Sequence, residues 1–502
     1  MAPGLWSLLQ LLSRKSGLPM DQVNFAFFQI SCLILAIVFR TLLHPYKVSP
    51  KTRHLFAASF GLYIGWYSYS WSFLHLLTQA TVPYIMMRTM NPKVIHKFVL
   101  AFAVVYMSAV HISQQLRNIN IYKMDHIGPM MVMTEKVTSL AFSLHDGLTR
   151  EDKDLNKQQK EMRTKKMPSV LEYYSYMFYF QALVVGPVCF YQNYIDFIEG
   201  RHLVPYIVKT KDGKEIVVHK EPPVWRAVLG KLAFSVAMVF CFVVVVPKYP
   251  LMDNVYNEEV FRSSLLYKFW FLWLSVEVAK SKYFFAWIYA DAVNNASGLG
   301  FNGYDEKGNA KWNLVTNINV KAFETATSLK VLIDNWNIQT NIWLRYVCYD
   351  RVPLQRTFFT FVLSSIWHGF YPGYFWTFIS AAFMTAAARK VRHNVRPLFQ
   401  GSKFMASFYD LVTLVFTHIV LAYSILPFTL LRNDLIIKYF GSFFFSFHFA
   451  AILILLFFPT RTAPRKKLSE DGETMKGIQN SLPDGFRQAT TSGNVYGDKK
   501  RQ

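Results

Sequence analysis

The chain has 502 residues, of which 52% are hydrophobic, 17% are aromatic and 17% are charged. Soluble globular proteins carry about a quarter charged residues, so this composition argues against a soluble enzyme. The net charge of +23 does not indicate nucleic-acid binding, because the basic residues form short separate clusters and not one stripe. Clusters of this kind beside apolar segments are typical of the cytosolic loops of membrane proteins.

The apolar residues are grouped into long runs. Residues 1–20 hold only a short apolar patch, too weak for the core of a cleavable signal peptide, and we expect this segment at the membrane interface or just before the first span. Crossing a bilayer takes about 20 apolar residues. The strongest candidates are residues 24–39, 227–246, 408–428 and 440–459.

Weaker apolar runs lie between these. They are residues 54–73, 74–90, 97–112, 171–198, 260–278, 283–296, 357–367 and 374–388. Together the runs predict an all-α polytopic membrane protein with about ten to twelve transmembrane or re-entrant helices, in which residues 21–460 form one membrane-embedded domain. No internal repeat is evident, which argues against a secondary transporter.

The polar segments are short. Residues 145–168 form a polar loop, and the stretch "KTKDGKEIVVH" has an Asp-Gly turn between alternating residues, which predicts a small surface hairpin. Residues 461–502 are polar and are expected to be a disordered cytosolic tail. The tail ends in "GDKKRQ", whose Lys499 and Lys500 resemble the dilysine retrieval signal of endoplasmic-reticulum membrane proteins.

The cysteines Cys32, Cys189, Cys241 and Cys348 are scattered along the chain. Their spacing matches no zinc site and no disulfide framework. We therefore interpret them as small buried hydrophobic residues and expect no bound metal.

Polar residues interrupt the apolar pattern between residues 280 and 312. Asp291, Asn294 and Asn295 lie at i, i+3 and i+4 and are predicted to share one face of a helix. A glycine-punctuated loop follows, and it carries no Walker or dinucleotide-binding fingerprint. A tight turn at a membrane boundary is the simplest interpretation of these glycines.

A second polar set lies in "LIDNWNIQTNIWLRYVCYDR", residues 332–351. If this stretch is one helix, Asp334, Asn337, Asn341 and Arg345 form a single polar stripe. Such a stripe must face protein or a wet cavity, because unsatisfied polar groups are costly in hydrocarbon.

The apolar stretch "LSSIWHGFYPGYFWTF", residues 363–378, contains His368. Gly369, Pro372 and Gly373 are expected to break the helix directly after it. A broken helix at membrane depth is tolerated where it lines a cavity, and an ionisable residue there is a candidate functional residue. Four other histidines in apolar runs could instead be packed or face the lumen: His75, His111, His418 and His448.

One histidine and one asparagine, without a reactive cysteine or a metal cluster, suit acyl transfer from a thioester to an alcohol. A histidine can remove the proton of an attacking hydroxyl. An amide can orient that hydroxyl or donate to the developing oxyanion. The thioester is already activated, so little more is needed.

The stretches "MPSVLEYYSY", "GPVCFYQNYIDFIEG", "GLGFNGYDEKGNAKW", "DNWNIQTNIWL" and "SSIWHGFYPGY" together resemble the membrane-bound O-acyltransferase family. The likeness is to its lysophospholipid acyltransferase branch, the branch of lysophospholipid acyltransferases 1 and 2. It implies that Asn337 and His368 are the active-site residues and that helices surround a tunnel entered by acyl-CoA from the cytosol. Ser365 departs from the alanine expected there, and its hydroxyl can bond back to its own helix.

The resemblance implies an endoplasmic-reticulum enzyme that moves a long-chain acyl group, oleoyl above all, from acyl-CoA to a lysophospholipid. The acceptors implied are lysophosphatidylethanolamine, lysophosphatidylserine or lysophosphatidylcholine. Acyl-CoA is then a co-substrate, no cofactor is expected, and the partners are membrane lipids and not nucleic acid. Two alternatives stay open at this stage: a protein or sterol O-acyltransferase of the same family, and a transporter or channel that uses the intramembrane polar residues.

Overall fold

The computed structural model describes residues 3–17, 19–117, 125–203, 206–209, 215–218 and 222–459. Nearly all of their regular structure is helical. The helices are α1 Pro3–Ser16, α2 Met20–Thr41, α3 Pro50–Tyr69, α4 Phe73–Thr89, α5 Ile95–Leu116, α6 Ile127–Thr149, α7 Lys157–Met162, α8 Val170–Phe178, α9 Tyr191–Glu199, α10 Trp225–Phe240, α11 Asp253–Tyr256, α12 Glu258–Arg262, α13 Leu265–Ala279, α14 Ser281–Ser297, α15 Val320–Glu324, α16 Leu329–Asp334, α17 Ile338–Leu344, α18 Arg356–His368, α19 Pro372–Val395, α20 Lys403–Leu430, α21 Asn433–Ser442 and α22 Ser446–Phe457. Short π-helical segments follow α10 and α17 at Cys241–Val245 and Arg345–Tyr349.

The exception to the helical pattern is a two-stranded hairpin. Its strands are β1 Tyr206–Lys209 and β2 Glu215–Val218, which pair antiparallel. Tyr206 lies opposite Val218 and Lys209 opposite Glu215. The hairpin predicted around the Asp-Gly turn is therefore confirmed, although the turn itself and the predicted tail with Lys499 and Lys500 lie outside the described residues.

Four helical segments in the described part of the chain are long and apolar enough to cross a membrane: α2, α5, the run Trp225–Tyr256 and α20. Three of the strongest sequence candidates are among them. The helices α21 and α22 qualify only as a pair, and they are bent by 77°. This gives four such segments, or five with the bent pair, and the larger number of ten to twelve stays a prediction.

The run at residues 440–459, predicted as one span, is broken in the structure. Phe444 and Phe445 adopt positive φ angles of 54° and 50°, which are unfavourable for residues with a side chain. The break lets Phe440 and Phe443 pack against the buried Tyr423 of α20 at centroid distances of 5.0 and 6.0 Å. Aromatic burial therefore overrides the helical continuity that hydropathy predicts.

Two weaker candidates are also divided. Residues 171–198 form the short helices α8 and α9 with an irregular segment between them, where Pro187 lacks an amide hydrogen for a helical bond. Residues 260–278 are split before α13, where the Ser264 side chain accepts from the Tyr267 amide and caps a new helix. Neither stretch is one continuous span.

The most deeply buried helix, α6, has no counterpart among the predicted segments. Residues 133–144 of α6 are buried without interruption, and Glu135 and Lys136 are each only 1% exposed. The polar side chains lower the apolarity of the segment, which explains why hydropathy misses it. Since α6 packs between other helices, its polar groups face protein and not water, and the Lys136 ammonium group, for example, donates to the Tyr176 and Met177 carbonyl oxygens.

Three of the four cysteines agree with their interpretation as buried residues, and Cys241 does not. Cys32, Cys189 and Cys348 are buried and Cys241 is partly exposed, and all four are free thiols in the described residues. The Ser365 hydroxyl donates to the Phe361 carbonyl oxygen at 2.9 Å, the back-bond within its own helix that the sequence predicts.

Candidate active site

His368 is the last residue of α18, and the predicted helix break follows it. Gly369 has φ 122° and ψ −167°, a conformation that residues with a Cβ rarely adopt. A Cβ there would also lie 3.0 Å from Nδ1 of His111. Gly373, in the first turn of α19, donates its amide to the Leu431 carbonyl oxygen at 3.0 Å, and any side chain would collide with the end of α20.

The His368 imidazole is surrounded by aromatic rings. The centroids of Phe378 and Phe428 each lie 5.0 Å away, the first stacked and the second edge-on. Trp367 and Tyr374 follow at 4.7 and 5.8 Å. Within the described residues, the structure records ring contacts and no hydrogen bond for this imidazole. Both of its nitrogens are therefore available to a substrate.

His111 of α5 is a neighbour of this site that the sequence interpretation did not single out. Its Nε2 lies 3.3 Å from the Trp367 carbonyl oxygen, and its Nδ1 faces Gly369. The residue thus contacts the chain on both sides of His368. A histidine in an apolar run carries no further sequence signal that could have revealed this position.

Asn337 does not lie in a continuous helix, so the predicted single polar stripe is wrong. The helix α16 ends at Asp334, Asn337 adopts φ 47° and ψ 52°, and α17 begins at Ile338. The other members of the stripe diverge. Asp334 pairs with Lys330, Asn341 donates to the Ile333 carbonyl oxygen, and Arg345 pairs with Asp350.

Tertiary contacts cause this break between α16 and α17. The Ile338 amide donates to the Asn317 carbonyl oxygen at 2.8 Å, which draws the chain out of helical register. The Trp336 ring packs against Trp287 and Phe323 at centroid distances of 5.0 and 5.1 Å. Asparagine tolerates the left-handed conformation that results at position 337 better than most residues.

The orientation of the Asn337 amide follows from its neighbours. The Gln339 backbone amide, which can only donate, lies 3.0 Å from Asn317 Oδ1. The other end of the Asn317 amide is therefore its NH₂ group, which donates to Asn337 Oδ1 at 2.9 Å. Thr340 Oγ1 lies 3.0 Å from the same oxygen. The Asn337 oxygen is thus occupied, and its NH₂ group is the part that can reach a substrate.

One face of α6 connects the two candidate residues. The Trp367 indole donates to the Met131 carbonyl oxygen at 3.0 Å, and the Trp343 indole donates to Thr138 Oγ1 at 2.8 Å. The two indole rings lie 5.9 Å apart. Between these anchors, Glu135 contacts Thr340. The segments that carry His368 and Asn337 therefore rest on neighbouring turns of one helix, about 6 Å apart along its axis.

The polar face predicted in α14 exists, but its contacts lie elsewhere. Asp291, Asn294 and Asn295 are all buried. Asp291 Oδ2 accepts from Lys231 Nζ and Thr316 Oγ1, both at 2.7 Å. Asp291 therefore holds the segment that leads to Asn317, while the Asn294 side chain donates to the Ala290 carbonyl oxygen of its own helix. None of these contacts involves His368. The glycine loop that follows closes as a tight turn bridged between Tyr304 and Ala310, which confirms the predicted turn, and its position at a membrane boundary stays a prediction.

A cavity of about 600 Å³ lies at the end of α6 opposite to Met131, and its lining includes Lys97, Arg150 and Arg351. Arg351 and Arg150 both pair with the buried Asp146, at 2.6 and 3.2 Å. The polar loop beside the cavity is held by a pair between Arg163 and Asp152. The hydrogen bond from Arg163 lowers the pKa of the Asp152 carboxyl below its ordinary value.

One group of potential metal ligands, Glu277, Glu324 and His418, lies apart from this site in the described chain. The Lys280 ammonium group lies 2.6 Å from Glu277 and 2.7 Å from Glu324. Since this ammonium already occupies the place of a cation between the two carboxylates, the group does not fit a metal ion.

The chain is similar to known membrane-bound acyltransferases over most of its length. Residues 111–426, more than half of the chain, match the model of the membrane-bound O-acyltransferase family. Lysophospholipid acyltransferase 6 of Drosophila melanogaster is 40% identical over 98% of this chain and 70% of the fly protein. Membrane-bound glycerophospholipid O-acyltransferase 2 of Homo sapiens is 38% identical over 97% and 93%. Lysophospholipid acyltransferase of Schizosaccharomyces pombe is 28% identical over 88% and 87%.

Proposed function

The chain belongs to the membrane-bound O-acyltransferase family, and on this basis we propose that it transfers a long-chain acyl group from acyl-CoA to the free hydroxyl of a lysophospholipid. The names of the fly, human and yeast relatives support a lysophospholipid or glycerophospholipid substrate. His368 is the proposed general base and Asn337 the proposed hydrogen-bond donor. The observation that carries the proposal is that two segments rest on neighbouring turns of α6. One holds an imidazole for which the described residues record no hydrogen bond, and the other holds an amide whose oxygen is already occupied.

In the proposed reaction, a neutral His368 nitrogen accepts the proton of the glycerol hydroxyl as its oxygen attacks the thioester carbonyl carbon. Negative charge then develops on the carbonyl oxygen, and the Asn337 NH₂ group donates a hydrogen bond to it. When the intermediate collapses, the carbon–sulfur bond breaks and the sulfur takes the proton from the imidazolium. The products are a diacyl phospholipid and free CoA.

The cavity near Lys97 supports acyl-CoA as the acyl donor. The cavity lies near Asp146, which is about 22 Å along α6 from Met131 and hence from the level of His368. The nucleotide of acyl-CoA lies far from its thioester, so the nucleotide could occupy the cavity while the thioester reaches His368. The neighbouring basic loop, residues 157–166, is the kind of segment found on the cytosolic side, where acyl-CoA is present.

The finer features of the proposal come from the family branch. Oleoyl is the proposed acyl group, and the ethanolamine, serine and choline lysophospholipids are the proposed acceptors. The proposed location is the endoplasmic-reticulum membrane, which the resemblance to this branch implies.

The test is the release of CoA by the purified protein. Oleoyl-CoA, palmitoyl-CoA and arachidonoyl-CoA are each offered with the three lysophospholipids, with a sterol and with an acceptor peptide. We expect CoA release with lysophospholipids alone, most rapidly from oleoyl-CoA. The proposal would be contradicted if CoA were released with the sterol or the peptide as acceptor but with none of the three lysophospholipids. That result would favour another activity of the family.

A further inference from the structure

Glu135 is a buried carboxyl group that the reaction described above does not use. It lies on the inner face of α6, and its residue is 1% exposed. Its Oε1 lies 2.8 Å from Thr340 Oγ1, while Oε2 is buried without a hydrogen-bond partner in the described residues. A charged carboxylate in such a position lacks the compensation that buried charges require.

The ammonium group of the adjacent Lys136 is directed away from the Glu135 carboxyl group. Lys136 follows Glu135 on the helix and therefore points in another direction. Its ammonium group donates to the carbonyl oxygens of Tyr176 and Met177 at 3.3 and 3.1 Å, and it lies 4.0 Å from the centre of the Tyr179 ring. No ion pair joins the two buried groups in the described part of the chain, and Glu135 contacts Thr340 of the candidate site instead.

The number of hydrogens available to Glu135, Thr340 and Asn337 determines the protonation state of the Glu135 carboxyl group. Thr340 Oγ1 lies between two oxygens, Glu135 Oε1 and Asn337 Oδ1, at 2.8 and 3.0 Å. A hydroxyl group has one hydrogen, and an amide oxygen can only accept. If Thr340 donates to Asn337, the contact with Glu135 needs a hydrogen from Glu135. If Glu135 were ionised, one of the two short contacts would join two acceptors.

We infer that Glu135 is a positioning residue that stays protonated and donates to Thr340, which in turn donates to Asn337 Oδ1. With the bond from Asn317, this chain gives the Asn337 oxygen two donors and keeps its NH₂ group toward the thioester. Glu135 exchanges no proton during the reaction. The inference rests on the proposed function, because it assigns the residues that orient the proposed oxyanion donor.

Replacement of Glu135 and Thr340 tests this chain by kinetics. Glu135→Gln keeps a donor, and Glu135→Leu removes it with a similar volume. We expect Glu135→Leu to lower kcat by about ten-fold to a hundred-fold with little change in KM, and Glu135→Gln to restore most of the loss. Thr340→Ser should behave like Glu135→Gln, and Thr340→Val like Glu135→Leu.

Two further measurements make the kinetics decisive. The double variant Glu135→Leu/Thr340→Val should be no slower than the slower single variant, since both break one chain. Thr413→Val is the matched control, because the hydrogen bonds of Thr413 to the described residues stay within its own helix, and it should keep the wild-type kcat. Equal damage by Glu135→Gln and Glu135→Leu, or an unaffected Glu135→Leu, would overturn the inference.

Infrared spectroscopy gives a readout that does not depend on turnover. The difference between wild-type protein and Glu135→Gln at neutral pH should contain the carbonyl stretch of one protonated carboxyl group. A difference spectrum that contains only carboxylate bands would refute the protonated state. This band would remain if the enzyme used other substrates than those proposed, so failure of the proposed function is distinguishable from failure of the inference.

Discussion

The segments that carry Asn337 and His368 hold their side chains by different means. Around Asn337 the contacts are hydrogen bonds, with Asn317 and Thr340 both on its oxygen. Around His368 the contacts are aromatic rings, the nearest at centroid distances of 4.7 to 5.0 Å. Hydrogen bonds fix the direction in which an amide points, whereas rings fix the position of an imidazole and leave its nitrogens free. The difference suits a stationary donor and a base that must gain and lose a proton.

Hydrogen bonds and ring contacts also differ in how they respond to single substitutions. A hydrogen-bond network loses its function when a single donor is replaced by an acceptor. A set of ring contacts spreads its stabilisation over several residues, and no single ring decides the outcome. We therefore expect distant polar substitutions to act through Asn337 and backbone substitutions to act through His368. The following predictions test this distinction.

The largest effect is expected from His368→Ala. General-base catalysis is worth about 10²–10⁴ in rate, so CoA release should fall to background with every lysophospholipid the enzyme accepts. The detergent stability of the purified protein should change little, since ring packing around the site is shared among several residues. Substantial turnover by a folded His368→Ala variant would rule out the base assignment.

A smaller loss is expected when the direction of the Asn337 amide is reversed. Asn337→Asp keeps the left-handed backbone and removes the donor, and kcat should fall by about 10²–10³.

Asn317→Asp presents an oxygen to Asn337 and should turn the amide round, with a loss in kcat of about ten-fold or more. Asn302→Asp is the matched control, because it breaks a similar amide pair with Asn313 in the exposed glycine loop. An unchanged kcat in Asn317→Asp would show that the orientation of Asn337 has no kinetic role.

A third substitution acts on His368 through the backbone. Gly369→Ala introduces strain of about 1–3 kcal/mol at a positive φ and crowds His111. We expect kcat to fall about ten-fold and the melting temperature to fall as well. Gly308→Ala has comparable strain at φ 79° with nothing within 4 Å of the added Cβ, so it should lower stability alone. Equal activity of the two variants would argue that the helix break merely stabilises the fold.

The sequence predicted the surroundings of His368 better than those of Asn337. Gly369 and Pro372 lie directly after His368, and their own backbone preferences are enough to predict that the helix ends there. The break at Asn337 arises from the carbonyl oxygen of Asn317, 20 residues earlier in the chain. No local rule contains that contact, so a regular helix was the natural and incorrect prediction.

The residues of α6 that support the site, together with His111 and Asn317, could not be predicted for related reasons. Met131, Glu135 and Thr138 lie at i, i+4 and i+7, a spacing that does indicate one helical face. Their helix is missing from the predicted spans because charged residues lower the hydropathy of a segment. His111 and Asn317 carry no local signal, because their importance depends on the partners that folding brings to them.

The smallest effects are expected from two histidines outside both segments. His448 lies 2.9 Å from both Ser380 Oγ and Tyr423 Oη, so His448→Ala should cost about 1–2 kcal/mol of stability and leave kcat within about two-fold. His418 is linked to the site more closely, since its ring touches Phe323, which packs against Trp336 beside Asn337. His418→Ala keeps the Lys280 pairs with Glu277 and Glu324, and kcat should fall less than about five-fold. If His448→Ala slowed turnover more than His418→Ala, the path through Phe323 and Trp336 would not transmit the change.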